Sequence, residues 1–380
     1  MADTGDPVAK TTMKEIAQQA GVALSSVSRV LNGHPAVSEG LRQRVLRVVD
    51  ELKYEPNHTA MSLRRGATKT VAFLVRDIAS PLFADIIKAA EEHLRGSGYS
   101  MLLTNSGDET DREAGHIRML TRRQVDGLIL CLTSETDHDT TAALRAVRAP
   151  LVLFDRHVAG LTASTVLSDH YRGFRDATEH LIELGHRRIA LISGPLEVLA
   201  SRERLRGYKS ALRSARIRSD PALIRLGRYS NTFGQQQCTQ LLQLPEPPTA
   251  IIAGGSQLSY GVLLALRQRD LELGRDIAFV ACDSAPWGEL LRPSLTVVER
   301  DAAEIGTATA ELLLSMIESG AGPQVRKLPT RLRIGESTMP SSRFENGIRG
   351  TAAQLTHSAA AWSAEDAGAE PQAASHSSGS

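Results

Sequence analysis

Residues 12–33 read TMKEIAQQAGVALSSVSRVLNG, two short helical patterns separated by a single glycine. Thr12 and Glu15 have the spacing of a capping box, in which the hydroxyl takes the N–H three residues on and the carboxylate returns to the first N–H. Ile16, Ala17 and Ala20 then make an apolar face, and Gly21 supplies the residue type that ends a helix in the left-handed conformation. After Val22 a second helix is predicted from Leu24 to Asn32, with Val27, Val30 and Leu31 on one side. Asn32-Gly33 stops it. Ser38 caps a third helix whose apolar side is Leu41, Val45, Val48, Val49 and Leu52. Helix, short turn, helix is a DNA-reading pattern when its surface is basic.

The surface here is basic. Residues 10–69 hold ten Lys and Arg against five Asp and Glu, whereas the chain of 380 residues carries a formal charge of only +1. That overall balance excludes a histone-like or polyacidic protein but not a local basic module. No apolar run is long enough to span a bilayer, and the first residues lack the pattern of a secretory signal. The three cysteines, Cys131, Cys238 and Cys282, are far apart and suit small core positions in a reducing, cytoplasmic setting.

From Thr70 onward the pattern changes to strand-length apolar runs alternating with helices. The strands are read at Val71–Val75, Met101–Thr104, Leu128–Cys131, Leu151–Phe154, Ile189–Ile192, Ala250–Ala253 and Ile277–Cys282. Helices are read at Leu82–Leu94, Tyr171–Leu184, Arg202–Leu212, Leu258–Arg269 and Ala302–Ile317. Continuous rather than alternating apolar runs indicate strands buried on both faces. Their spacing implies right-handed crossovers, parallel sheets and two doubly wound subdomains. Ligands in such sheets sit beyond the carboxyl ends of the strands. The expected division is a lead at 1–10, a helix-turn-helix domain at 11–56, a hinge helix at 57–66 and a body at 70–340. Within the body one subdomain takes roughly 70–168 plus 300–327 and the other 169–299 plus 328–340. An Ala/Ser-rich tail at 341–380 is expected to be disordered.

The text TMKEIAQQAGV, SSVSRVLNGHPAVSE and LRQRVLRVVDELKYEPNHTAMSLRRG, at fixed spacings over residues 12–66, resembles the headpiece of the lac repressor (LacI/GalR) family of bacterial transcriptional regulators. RDIASPLF, HLIELGHRRIALISG, RLRGY, RPSLTVV and RIGEST extend the resemblance to about residue 338. It implies a helix-turn-helix headpiece with a hinge helix, followed by a periplasmic-binding-protein-like α/β core. Such a protein is a repressor that binds a pseudo-palindromic operator as a homodimer, with tetramers left open. By the resemblance Leu24, Ser25 and Arg29 read bases in the major groove, where arginine is the best partner of guanine. Thr12, Ser28, Asn32 and Asn57 match phosphate contacts, which position without specifying. Ala60 and Leu63 lie on one side of the hinge, and Leu63 matches a minor-groove wedge. Ala23 departs from the usual serine, so the second helix loses its capping hydroxyl.

By the same resemblance, Leu82, Phe83, Asp155, Arg204 and Asp283 line an effector cleft between the subdomains. A sugar or related metabolite leads on family grounds. Gly255-Ser256 and Ala281-Cys282-Asp283-Ser284 replace the family's Asn-Asp and Gly-Phe-Asp-Asp, which removes polar groups that hold a sugar. Ligand binding is expected to favour one orientation of the subdomains and so to alter operator affinity. No cofactor, metal site, catalytic residue or membrane partner is read. The alternative is a small-molecule-binding α/β enzyme, for which Gly254-Gly255-Ser256 is the nearest thing to a nucleophile turn and lacks an assigned base.

The wedge reading has a direct test. Leu63→Ala should weaken binding to the specific operator at least ten-fold while leaving binding to random duplex nearly unchanged, as measured by fluorescence anisotropy. Equal losses on both would remove the wedge.

Overall fold

A computed structural model of the chain describes residues 12–31, 34–54, 67–283 and 286–339. The chain divides into two compact units, one ending at Thr68 and the other starting at Lys69. The expected hinge, 57–66, and tail, 341–380, lie outside the described residues.

The first unit holds α1 (Met13–Ala20), α2 (Leu24–Leu31) and α3 (Glu39–Glu51). The capping box forms: Thr12 N–H donates to Glu15 Oε2 at 2.9 Å, and Glu15 N–H to Thr12 Oγ1 at 3.3 Å. Gly21 adopts φ +64°, the left-handed stop that favours glycine. At the start of α2, Ala23 offers only its carbonyl, which accepts from Ser26 N–H at 2.9 Å. Ser38 stands at the N-cap of α3, yet its hydroxyl makes no capping bond. The core is Ile16, Ala17, Ala20, Val27, Val30, Val45 and Val48, with Leu31, Leu41, Val49, Leu52 and Tyr54 partly buried around it. These residues recur every three to four positions in each helix, so three amphipathic stripes meet in one small core.

The second unit holds two six-stranded sheets. The first has the order β11-β5-β4-β3-β1-β2, from β1 (Thr70–Val75), β2 (Ser100–Asn105), β3 (Gly127–Leu130), β4 (Leu151–Phe154), β5 (Ser164–Ser168) and β11 (Val325–Leu328). The second has the order β12-β10-β9-β8-β6-β7, from β6 (Ile189–Ser193), β7 (Ile224–Leu226), β8 (Ala250–Ala253), β9 (Ala278–Cys282), β10 (Thr296–Arg300) and β12 (Thr330–Arg333). Strands β3, β4, β6 and β8 are buried along their whole length, as two-sided burial requires. Helices α4 (Pro81–Gly96), α5 (Thr110–Arg122), α6 (His138–Arg145) and α11 (Ala302–Ser319) belong with the first sheet. Helices α7 (His170–Glu183), α8 (Leu199–Ser214), α9 (Asn231–Leu242) and α10 (Ser256–Arg267) belong with the second.

The chain passes between the sheets three times, after β5, after β10 and after β11. One departure from an all-parallel expectation follows. β12 pairs antiparallel with β10, because β10 carries the chain out of the second sheet and β12 carries it back in. Strands β5, β7, β10, β11 and β12 and helices α5, α6 and α9 are absent from the sequence reading. Each is short, polar or shifted onto an edge, where a continuous apolar run is not needed.

Three helix pairs close against one another over a glycine. A Cβ on Gly207 of α8 would strike the Tyr171 carbonyl of α7, one on Gly261 of α10 the Asn231 carbonyl of α9, and one on Gly306 of α11 the Ile86 carbonyl of α4. The obstacle is backbone in every case, so no side chain can turn aside. Gly306→Ala is therefore expected to cost about 1–3 kcal/mol through overpacking, seen as a lower thermal midpoint. An unchanged or raised midpoint would contradict this packing.

Candidate functional site

Two surfaces gather the sequence-predicted residues. The first is on α2. Val27 and Val30 turn inward and are 0% and 4% exposed, while Leu24 is 50% exposed. Ser25 and Arg29, one turn apart, are also exposed, so α2 presents Leu24, Ser25 and Arg29 outward. Ser28 is half-buried. Thr12 is exposed with its hydroxyl engaged in the capping box. Asn32, Asn57, Ala60 and Leu63 lie outside the described residues.

The second surface is the cleft where the carboxyl ends of strands from both sheets meet. The structure brings Leu82, Phe83, Asp155, Arg204 and Asp283 together as lining of a single cavity of about 40 Å³. That is room for two or three waters, so the side chains themselves fill the cleft. Asp155 follows β4 and Asp283 follows β9, with φ of +50° and +69°. Aspartate tolerates this left-handed region better than most residues. Strained backbone held at the ends of two core strands is a mark of a functional site.

Both carboxylates converge on Arg300, the last residue of β10, whose side chain is 6% exposed. Its Nε and Nη2 donate to Asp283 at 2.7 and 2.9 Å, a bidentate fork, while Nη1 donates to Asp155. Asp155 also accepts from Ser168 N–H at 2.7 Å. Burial opposes ionisation of both acids. The Arg300 guanidinium beside both acids, joined at Asp155 by the Ser168 N–H, overcomes it and holds both carboxyls below the usual range. Two further links span the two lobes. Gln257 of α10 donates to Asp77, which follows β1. Glu135, after β3, accepts from Leu199 N–H at 2.7 Å and from Arg202 at 2.8 Å, both in α8.

Arg204 donates to the Tyr229 hydroxyl at 2.8 Å and to the Gly254 carbonyl at 2.6 Å. Phe83 packs edge-on against Phe154, and the Arg76 guanidinium lies 5.5 Å from its ring centre and 4.5 Å from that of Tyr229. Arg76, Arg156, Tyr229, Gln257 and Arg300 also line the cavity and are absent from the sequence reading. A signal existed for two of them. Arg76 and Arg156 each stand just past the end of an apolar run, as Asp155 and Asp283 do.

Residues 12–57 match the family model described as bacterial regulatory proteins, lacI family, and residues 178–338 match the periplasmic binding protein-like domain. The ribose operon repressor of Haemophilus influenzae is 33% identical over 309 residues, 81% of this chain and 92% of that one. Among solved structures, the lac repressor dimer bound to operator and the anti-inducer ONPF aligns with TM-score 0.75 at 28% identity, over 87% of this chain and all of that one. The complex of the transcriptional regulator CelR with cellobiose aligns with TM-score 0.66 at 30% identity, over 86% of this chain and all of that one.

Two buried groups near the cleft titrate in opposite senses. Burial pushes the Glu113 carboxyl of α5 up to about 7 from the usual 4.5, although it accepts Thr133 N–H at 2.7 Å. Burial pushes the His170 imidazole down to about 4 from 6.5, against the pull of Asp155 at 3.2 Å, whose alignment is too poor for a good hydrogen bond. Folding therefore takes up a proton at Glu113 and gives one up at His170. As pH falls from 7 to 4.5, Glu113 adds stability. As it falls from 6.5 to 4, His170 removes it. Each effect is about 3 kcal/mol over its full range. Burial lowers the His180 and His186 imidazoles as well, which adds to the loss below pH 6.5, so Glu113 offsets only part of the fall. Glu113→Gln removes that offset, and its midpoint should drop by ~4 °C or more beyond the native drop between pH 6.5 and 5. A variant profile no steeper than the native one would contradict the assignment.

Proposed function

The chain belongs to the lacI family of bacterial regulatory proteins, and we propose from that premise how its own residues do the work of a DNA-binding transcriptional regulator. As a dimer, two copies of α2 enter successive major grooves of a pseudo-palindromic operator. Arg29 takes guanine O6 and N7 as a fork, Ser25 offers a hydroxyl, and Leu24 meets a thymine methyl. Thr12 and Ser28 stand toward phosphates, with Asn32 and Asn57 as further phosphate contacts and Ala60 and Leu63 on the hinge. The observation that carries this reading is the outward set of α2: an apolar side chain, half exposed at a helix start, beside a serine and an arginine one turn apart.

The cleft holds the effector. Leu82, Phe83, Asp155, Arg204 and Asp283 come from both lobes, so a molecule bound there contacts both and biases their relative orientation. Its influence on operator affinity is bounded by its differential affinity for the two orientations, commonly about 1–3 kcal/mol. The related CelR was solved with cellobiose, and a sugar or sugar derivative is the effector class here. The chain acts by binding rather than by turnover, and repression is the sense shared by its relatives.

Arg29→Ala tests the reading of bases. It should weaken binding to the symmetric operator fragment by about 10- to 100-fold, the worth of one bidentate arginine–guanine contact. Binding to random duplex should fall far less, both by fluorescence anisotropy at fixed salt. Equal loss on both duplexes would reduce Arg29 to a phosphate contact.

A further inference from the structure

The charge and donor inventory of the cleft narrows the kind of molecule it takes. Four guanidinium groups line it, from Arg76, Arg156, Arg204 and Arg300, against two carboxylates, Asp155 and Asp283. Arg300 engages both of those carboxylates at once. Arg76 has its own partner outside the lining, Asp108 at 2.6 Å.

Arg156 and Arg204 are different. They are 4% and 3% exposed, and among the described residues neither forms an ion pair with a carboxylate. Arg156 donates to the Leu132 and Asp155 carbonyls at 2.5 and 2.8 Å. Arg204 donates to the Tyr229 hydroxyl and the Gly254 carbonyl. The buried Nε atoms of Arg204 and Arg76 have no acceptor among the described residues. Arginine cannot shed its proton to escape burial, and a cation held out of water without a counter-ion is costly. The cleft thus has N–H donors and positive charge in surplus while its carboxylate acceptors are already engaged. A neutral polyol can accept from those donors through its hydroxyl lone pairs but leaves the charge unanswered. An oxyanion brings acceptors together with negative charge, and two oxygens of a carboxylate or of a phosphate both match a guanidinium fork.

We propose that the effector is an anionic sugar derivative, a polyhydroxylated molecule bearing a carboxylate or phosphate group that the Arg156 and Arg204 guanidiniums neutralise. This deepens the effector reading above and rests on it. The anion supplies the missing counter-charge, and its hydroxyls meet the remaining polar lining, such as Ser80 and Ser256.

The test is calorimetric titration of the full-length chain, with and without its operator fragment. The probes are aldonic and uronic acids and aldose phosphates, each beside its neutral parent sugar: gluconate, glucuronate and glucose 6-phosphate against glucose, and the corresponding galactose and ribose sets. At least one anion is expected to bind ten-fold or more tightly than its parent and to change operator affinity. The acid and phosphate arms decide which oxyanion fits. Arg156→Gln, checked for folding by its thermal midpoint and operator binding, should abolish that preference. Should a neutral sugar bind as tightly as its acid and its phosphate, the anionic class is overturned and the effector cleft stands. Should none of the probes bind while operator binding is intact, both are overturned. A preference that survives in Arg156→Gln and also in Arg204→Gln overturns the assignment to these two groups.

Discussion

One guanidinium serves both halves of the body. Arg300 forks onto Asp283 of the second sheet and reaches Asp155 of the first, with all three side chains nearly out of water. Removing one member of such a buried set leaves charge without a partner, a loss of about 3–5 kcal/mol, so the trio forms together or not at all. Its placement follows from topology. Arg300 ends β10, the strand that carries the chain from the second lobe to the first. Asp155 and Asp283 end β4 and β9, neighbours of the crossing strands in their own sheets. The carboxyl ends of two parallel sheets thus face one another with a charge network between them.

The other links between the lobes are polar as well: Gln257 with Asp77, and Glu135 with Arg202 and the Leu199 N–H. Polar contacts of this kind can be exchanged for water or ligand at modest cost, whereas each lobe's own apolar core cannot. The lobes thus have separate apolar cores joined by three crossings and a polar seam. That is what a sensor requires, since a ligand shifts an equilibrium only through contacts that differ between its two states. With room for only a few waters between the side chains of the cleft, any bound molecule is a competitor or a partner of those same groups.

Much of this was legible from the residues alone, where local chemistry and global fold agree. The capping box at Thr12 and Glu15, the Gly21 stop and the inward stripe of Val27 and Val30 needed no tertiary information. The buried interior strands were equally plain, because burial on both faces writes itself as an unbroken apolar run. Strands at the edges and crossings did not read so. β7, β11 and β12 carry arginine or lysine on open faces, and β10 ends in Glu299-Arg300, so their apolar signal is diluted. In the cleft, the family resemblance pointed to the two aspartates. It did not point to their common partner, since Arg300 lies 145 residues from Asp155 and only the fold joins them. That omission matters chemically. The aspartates alone suggest acceptors for sugar hydroxyls, and with Arg300 in place the same cleft is dominated by donors.

Paired copies of this chain that read a symmetric duplex through α2 should leave a definite mark in nuclease footprinting across the DNA upstream of its own gene. One protected stretch with twofold symmetry is expected, its half-sites about 10 base pairs apart centre to centre. Uniform cleavage at every concentration that saturates a random duplex would contradict it.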